Sequence, residues 1–140
     1  MQIITLLLFI LLLPGSVFAE ESDRDLMNFL VGSYQLIGKA YESDQTYSGQ
    51  VTVSIQKDHL KVARIIHGKE ITGTGRIETS DMTVSKVLRI RFTQDGIFYE
   101  ETCLYQGDLD NYARITCYLY RPGIKTEAPG MEALFINQKK

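Results

Sequence analysis

The two cysteines of the chain, Cys103 and Cys117, constrain its fold more than any other feature. They are the only cysteines, and they lie symmetrically about Asp110 within residues 96–121. In this segment two alternating stretches flank a short polar loop, so a hairpin places the cysteines opposite each other. Opposed strand residues have Cβ atoms ~4.5–5.5 Å apart, which a disulfide spans with little adjustment. The sequence therefore predicts a β-hairpin closed by a Cys103–Cys117 disulfide.

Residues 1–19 have the composition of a secretory signal peptide. They carry no charged side chain, and their apolar run ends at the helix-breaking pair Pro14-Gly15, before aliphatic and small residues. That pair also makes the run too short for a transmembrane helix, so no membrane span is expected after cleavage. A single domain over residues 20–140 remains. The expected location is secreted or periplasmic, since disulfides persist in oxidising compartments.

The charge of the chain indicates no macromolecular partner. Its net charge is −2, and acidic and basic residues are interspersed along the sequence. There is no basic stretch of the kind that binds nucleic acid or an anionic membrane surface. Nucleic-acid binding is therefore not expected.

The hydrophobic pattern beyond the predicted signal peptide is that of an all-β domain. A short helix is predicted at residues 22–30, with Ser22 as its N-cap. Apolar and polar residues then alternate through about eight strands, joined mostly by tight turns. A meander of about eight antiparallel strands closes into an up-and-down β-barrel, which has no free edge. A β-sandwich is the alternative, but only residues 78–86 and 122–130 are long enough for its crossing connections.

Two-residue turns set the predicted strand register. The predicted turns are Lys57-Asp58, Gly68-Lys69 and Asp95-Gly96, of which the last carries the strongest hairpin signal. The Gly68-Lys69 turn pairs Arg64 with Gly73, and the Asp95-Gly96 turn pairs Ile90 with Glu101. In this register Arg64 and Glu101 both point into the barrel.

The start of the first strand carries a family resemblance. Residues 29–36 read Phe-Leu-Val-Gly-Ser-Tyr-Gln-Leu behind the predicted helix and signal peptide. This arrangement resembles the lipocalins and their calycin relatives, which open with Gly-x-Trp; Gly32 and Tyr34 take the Gly and Trp positions. The resemblance implies that Tyr34 plugs a closed barrel end, while a cavity at the other end holds a small apolar ligand. The chain departs from the family in having no Trp, no late-strand Arg to cover it and no C-terminal helix.

No set of residues in the sequence has the pattern of a catalytic or metal site. His59 and His67 fall near turns at opposite ends of one predicted strand, too far apart to share a metal. Residues 108–111 lack the Gly and the distal Glu of a calcium loop. Glu100 and Glu101 point to opposite faces, and the paired cysteines leave no thiol nucleophile. We therefore expect a protein that is not an enzyme and uses no metal or cofactor.

Polar side chains on the predicted inner face indicate a small-molecule site. The candidate ligand-binding residues are Tyr34, Arg64, Tyr99, Glu101 and Tyr105. Buried charges must be paired, so Arg64 and Glu101 are expected to contact each other, a ligand or water. An apolar cavity with a few converging polar groups is the usual form of a ligand site. The alternative is an internal ion pair with no ligand.

The predicted outer face supplies a competing function. Phe98, Leu104, Tyr112, Tyr118 and Tyr120 fall on the face opposite the disulfide. Aromatic residues are ordinary on strand surfaces, but a cluster of tyrosines is also typical of protein interfaces. The sequence therefore predicts an exported binding protein with a small apolar or amphipathic ligand. An exported interaction module, such as an inhibitor of a secreted hydrolase acting through Tyr118 and Tyr120, is the alternative.

Overall fold

The barrel predicted from the strand pattern is present. The computed structural model describes residues 17–80, 84–107 and 113–137. In this part of the chain the elements are α1 (Val17–Leu30), β1 (Gly32–Lys39), β2 (Thr46–Gln56), β3 (His59–Ile66), β4 (Lys69–Thr79), β5 (Lys86–Gln94), β6 (Ile97–Gly107), β7 (Ala113–Tyr120) and β8 (Gly130–Ile136). Each strand pairs antiparallel with the next, and β8 pairs with β1. The fold is a closed up-and-down barrel rather than a sandwich.

One end of the barrel is closed by α1, and the other is open. Every second residue of the strands is buried in the interior, and Met27 and Leu30 of α1 join the same core. The Tyr34 hydroxyl donates a hydrogen bond of 2.7 Å to the Leu30 carbonyl oxygen, which the end of the helix leaves without an intrahelical donor. Tyr34 therefore lies at the closed end, where the lipocalin resemblance had placed it. The loops after β1, β3, β5 and β7 surround the open end, the barrel mouth.

The predicted disulfide hairpin is confirmed. Cys103 on β6 lies directly opposite Cys117 on β7, and the two form a disulfide. Both residues are buried. The bond therefore lies inside the barrel and joins adjacent strands.

Two of the three predicted turns are confirmed, and the third is displaced by one residue, which shifts the strand pairing by two. The Lys57-Asp58 and Asp95-Gly96 turns give the predicted pairing, including Ile90 with Glu101. The third turn is His67-Gly68, so Arg64 pairs with Ile71 rather than with Gly73. Both turn residues have positive φ, 50° at His67 and 75° at Gly68, which is the conformation that a tight hairpin turn requires. Because the strand pairing is displaced by an even number of residues, the residues that face the interior are the same as predicted.

The helix begins earlier than predicted. It starts at Val17, so Ser22 lies within it and is not the N-cap. The preceding Val-Phe-Ala-Glu-Glu sequence has no helix breaker, which explains why helical structure continues through it. Residues 1–16 of the predicted signal peptide and the acidic loop at 108–112 lie outside the described residues. Among the described helices, none is long and apolar enough to span a membrane.

Candidate functional site

A pocket of about 230 Å³ opens at the barrel mouth. Its walls combine aromatic, aliphatic and amide side chains, and Arg64 lies among them. The lining residues are Ala40, Tyr41, Gln45, Tyr47, Arg64, Ile66, His67, Phe92, Gln94, Tyr99 and Leu119. The pocket therefore combines apolar and polar surface in similar proportions, with aromatic and aliphatic walls around several polar groups.

A buried cluster of charged residues is built around Arg64. Arg64, Glu101 and Glu132 are each at most 2% exposed. One terminal guanidinium nitrogen of Arg64, Nη1, donates to Glu101 Oε1 at 2.6 Å, and the other, Nη2, donates to Glu132 Oε1. The Tyr47 hydroxyl also donates to Glu132 Oε1. One arginine thus contacts two carboxyl groups. We call Arg64, Glu101, Glu132 and Tyr47 together the Arg64 cluster.

Glycines on neighbouring strands make room for the side chains of this site. Tyr47 lies opposite Gly38 in the β1–β2 pair, and a Cβ atom at Gly38 would be only 2.5 Å from Cζ of the Tyr47 ring. The ring therefore lies directly over the glycine, which lets its hydroxyl reach Glu132. Gly73 lies opposite Phe92 in the same way. The guanidinium of Arg64 is then 4.3 Å from the centre of the Phe92 ring, a cation–π contact.

Burial controls the protonation of the Arg64 cluster. Burial, together with the nearby charge of Glu132, raises the pKa of Glu101 to about 8, although Arg64 acts in the opposite direction. Burial also raises the pKa of Tyr47, and Glu132 raises it further. For Arg64, burial is outweighed by Glu101 and Glu132, which keep its pKa above the ordinary value. The raised pKa of Glu101 therefore favours its protonated form at neutral pH, next to a guanidinium that stays charged.

The two carboxyl groups each keep one oxygen without a protein donor. Glu101 Oε2 and Glu132 Oε2 are buried and have no hydrogen-bond partner among the described residues. A proton on Glu101 gives this group a donor, and its hydrogen bond with Glu132 is one of the causes that raise its pKa. Arg64 Nε is also buried without a partner in this part of the chain. Unlike the carboxyl oxygens, it belongs to a side chain that lines the pocket.

An aromatic wall lies beside the guanidinium. The rings of Phe92 and Tyr99 are stacked with their centres 5.7 Å apart, and Tyr41 meets Tyr99 edge-on at 6.0 Å. Such offset and T-shaped arrangements are the favourable ones for aromatic pairs. These rings provide a flat apolar surface next to the polar guanidinium of Arg64.

The structure brings together three of the five predicted ligand-binding residues. Arg64 and Tyr99 line the pocket, and Glu101 lies beneath it in contact with Arg64. Tyr34 lies at the closed end, where burial raises its pKa to about 12. Tyr105 is near the same end, within the field of Asp23 on α1. Burial raises the pKa of its hydroxyl, and the charge of Asp23 raises it further. The mouth pocket therefore depends on Arg64, Tyr99 and Glu101 and not on the other two tyrosines.

Sequence analysis missed Glu132, Tyr47 and Tyr41. Glu132 is in β8, where alternation places it on the same face as Leu134 and Gly130. A glutamate on an otherwise apolar strand face was the signal that could have found it. Tyr41 comes from the loop after β1, and its place in the pocket follows only from the closed barrel.

The disulfide lies close to the Arg64 cluster. A carboxyl oxygen of Glu101 and the two sulfurs of Cys103 and Cys117 lie within 4.8 Å of one another. The sulfurs are bonded to each other, so they are not thiolates that could bind a metal. The histidines, His59 and His67, lie at the two ends of β3, as predicted.

Exposed apolar side chains form a patch on the outside of the barrel. They lie on β1, β6, β7 and β8 and are Ile37, Leu104, Tyr118, Met131 and Phe135. Tyr118 pairs directly with Met131. Tyr120 is different, because its hydroxyl donates to Glu100 at 2.6 Å in a partly buried ionic network with Arg89 and Arg91. Tyr112 lies outside the described residues.

The fold defines the structural class of this protein, a closed eight-stranded up-and-down barrel with one internal disulfide. This architecture is compatible with a lipocalin-like fold. The chain matches no protein-family model, and a search of the curated proteins finds no relative. The functional argument therefore rests on the mouth pocket and the outer patch.

Proposed function

We propose that the protein is an exported, non-enzymatic binding protein that holds a small amphipathic ligand in the mouth of its barrel. The observation that carries this proposal is the pocket itself, where an aromatic wall meets the buried guanidinium of Arg64. A polar group at the bottom of an apolar cavity fixes the orientation of a ligand, while the walls supply most of the affinity. The amide side chains of Gln45 and Gln94 add hydrogen-bonding groups to the lining.

The volume of the pocket limits the ligand. Pockets for drug-sized molecules are about 300–1,000 Å³, and this one is about 230 Å³. Below it the interior is filled by buried side chains such as Leu36, Leu60 and Leu88. A long acyl chain or a retinoid therefore does not fit without rearrangement, and the ligand is small.

A pair of adjacent variants tests the pocket. Ile66 lines it, while Ile65 is 44% exposed on the outside of the same strand. We expect benzyl alcohol and indole to shift backbone amide NMR signals of mouth residues in the wild type and in Ile65→Trp. In Ile66→Trp the larger side chain narrows the pocket, so binding should weaken at least tenfold. Equal binding to the two variants, or shifts spread over the outer surface, would exclude the pocket as the site.

Export is tested separately. We expect the protein recovered outside the cytoplasm to begin at or near Glu20, because residues 1–19 have the features of a signal peptide. Intact-mass spectrometry gives the mature N-terminus, and alkylation without reductant tests the state of the cysteines. A chain that retains residues 1–19 and stays in the cytoplasm contradicts the export proposal.

A second candidate function is protein binding through the outer apolar patch. The observation that favours it is that Leu104, Tyr118 and Met131 are 46–66% exposed on adjacent strands. Contiguous exposed apolar surface of this kind is typical of interaction sites. Light scattering of the wild type and of Tyr118→Ser/Met131→Ser tests for self-association, and affinity capture with the same pair tests for other partners. A monomer that captures nothing leaves the pocket as the functional site.

A further inference from the structure

We infer that the mouth pocket selects an uncharged ligand, about the size of one substituted aromatic ring, that carries a hydrogen-bond acceptor, and that it rejects the carboxylate of the same shape. This inference rests on the proposed function and names the ligand class of that same site. It differs from a general small-molecule pocket because it predicts discrimination between ligands that have the same size and skeleton.

The balance of charge in the Arg64 cluster opposes an anionic ligand. Arg64 is the only positive group in the cluster, and both of its terminal nitrogens already donate to Glu101 and Glu132. The formal charge of the cluster is zero when one carboxyl group is protonated and −1 when both are ionised. In neither state is it positive. A ligand carboxylate against Arg64 would add a further anion beside Glu132 in a region of low dielectric, where like charges repel strongly.

The free donor of Arg64 favours a ligand with a hydrogen-bond acceptor. Arg64 Nε is buried and has no partner among the described residues, although the side chain lines the pocket. A buried donor without a partner is unfavourable, because it has lost its hydrogen bond to water and gained none in the protein. Because this atom has no solvent-exposed surface, a ligand oxygen accepts from it only after the Arg64 side chain shifts, whereas the side-chain amides of Gln45 and Gln94 line the pocket and offer donors to the same oxygen. A cationic ligand offers no acceptor to these donors, and it loses its hydration without gaining an unpaired carboxylate, because Glu101 and Glu132 do not line the pocket.

The size and walls of the pocket favour a ring. An apolar protein cavity of about 150 Å³ is known to hold one benzene molecule, so about 230 Å³ leaves room for a ring and a short substituent. Phe92, Tyr99 and Tyr41 provide ring surfaces against which such a ligand stacks.

Three compounds with one skeleton test the inference. Benzamide is neutral and has an acceptor oxygen, benzoate is its anionic analogue, and benzamidine is its cationic analogue. We expect titration calorimetry at neutral pH to show binding of benzamide, with benzoate and benzamidine each at least tenfold weaker. Binding of benzoate that equals or exceeds that of benzamide overturns the inference and leaves the proposed pocket in place. Preferred binding of benzamidine overturns it in the same way.

A variant that replaces one carboxyl group with an amide tests the physical cause of the selectivity. Glu132→Gln takes one ionisable carboxyl group out of the cluster but keeps an oxygen that accepts from Arg64 and Tyr47. The most negative state of the cluster is then neutral instead of −1, so we expect benzoate to gain at least tenfold relative to benzamide. Glu70→Gln replaces an exposed carboxyl group on the outer face of β4, outside the Arg64 cluster, and should change the binding of neither compound. If the two variants behave alike, the Arg64 cluster does not set the selectivity, and the inference is overturned.

Failure of the proposed function would give a different result from failure of this inference. If none of the three compounds binds, and the probes shift no mouth signals in the wild type or in Ile65→Trp, then the pocket proposal itself fails. If Glu132→Gln does not fold, the wild-type comparison of benzamide with benzoate still decides the ligand class.

Discussion

At the scale of single residues, the Arg64 cluster is the most unusual feature of the protein. A buried charge is tolerated only when partners replace the water that it has lost. Arg64 has two carboxyl partners, so its buried charge is compensated. One guanidinium cannot neutralise two carboxylates, so the second carboxyl group would be a buried charge without a counterion. Protonation of Glu101 resolves it, because burial and Glu132 raise the pKa of that group to about 8.

This protonation makes stability depend on pH. The folded-state pKa of Glu101 is above its ordinary value of 4.5, so its contribution to stability is complete below about pH 4.5 and is lost as the pH rises to about 8. Glu101→Gln cannot ionise and should not show this loss. We expect the free energy of unfolding of the variant, relative to the wild type, to rise between these two pH values. Urea denaturation followed by circular dichroism at a series of pH values measures it.

Glu100 provides a control of opposite sign. Burial alone would raise its pKa, but hydrogen bonds from Tyr120, Arg89 and Arg91 outweigh burial and hold the pKa below the ordinary value. Its contribution is therefore present above the ordinary pKa and is lost as the pH falls through the folded-state pKa. Glu100→Gln should differ from the wild type most at neutral pH and least in acid. Identical profiles for the two variants would contradict the assignment of Glu101 as the protonated group.

At the scale of elements, the hairpin turns decide which residues face the pocket. The three two-residue hairpin turns each contain a non-glycine residue with positive φ, at Lys57, His67 and Asp95, and in two of them a glycine follows. The left-handed conformation is unfavourable for residues with a Cβ atom, so the following glycine lowers the strain of the turn. These glycines keep the β3–β4 and β5–β6 hairpins in register.

Replacing Gly68 tests the observed turn. Its φ is 75°, and a Cβ atom there would meet nothing within 4 Å, so the effect of Gly68→Ala comes from the backbone alone. We expect a loss of about 1–2 kcal/mol in the free energy of unfolding. His67→Asn should have little effect, because asparagine tolerates the same conformation. A turn centred on Gly68 and Lys69 would leave His67 in an extended strand, where His67→Gly would destabilise the protein instead of relieving a positive φ.

Replacing Gly38 tests how β1 supports the site. Gly38→Ala places a Cβ atom against the Tyr47 ring, so the ring must move and the Tyr47 hydrogen bond to Glu132 is weakened. We expect a loss of about 1–3 kcal/mol. Because Tyr47→Phe removes the same hydrogen bond, the effects of the two substitutions should be less than additive in the double variant. Full additivity would show that the glycine acts independently of Tyr47.

At the scale of the whole molecule, barrel closure and the disulfide act together. Closure through the β1–β8 pair leaves no free sheet edge and brings Glu132 of β8 against Arg64 of β3. The Cys103–Cys117 bond joins β6 to β7. Glu101 of β6 and Leu119 of β7 lie opposite each other, two residues along each strand from the bond. The disulfide therefore fixes part of the pocket wall as well as the fold.

Removing the disulfide tests this role. The bond closes a loop with a sequence separation of 14, for which the chain-entropy estimate is roughly 3 kcal/mol. We expect the Cys103→Ala/Cys117→Ala variant to lose about this amount, measured by urea denaturation against the oxidised wild type. The wild type under reductant provides the matched control for the two missing sulfur atoms. A variant as stable as the oxidised protein would show that closure alone holds the strands.

Local rules in the sequence determined most of the strand order. Alternation with a period of two gave the strands and their inner faces, and Asp95-Gly96 gave the register that places Glu101 inside the barrel. The symmetric cysteines gave the disulfide. The Gly68-Lys69 turn was wrong because a glycine alone does not say which of its neighbours completes the turn.

Tertiary structure alone decided the composition of the site. Arg64 and Glu132 are 68 residues apart, and no local pattern relates β3 to β8. Their contact exists because the sheet closes, since closure brings side chains from distant strands into one interior. Local periodicity determines the faces of the strands, whereas the pairing of charges across the interior depends on the diameter and stagger of the whole barrel.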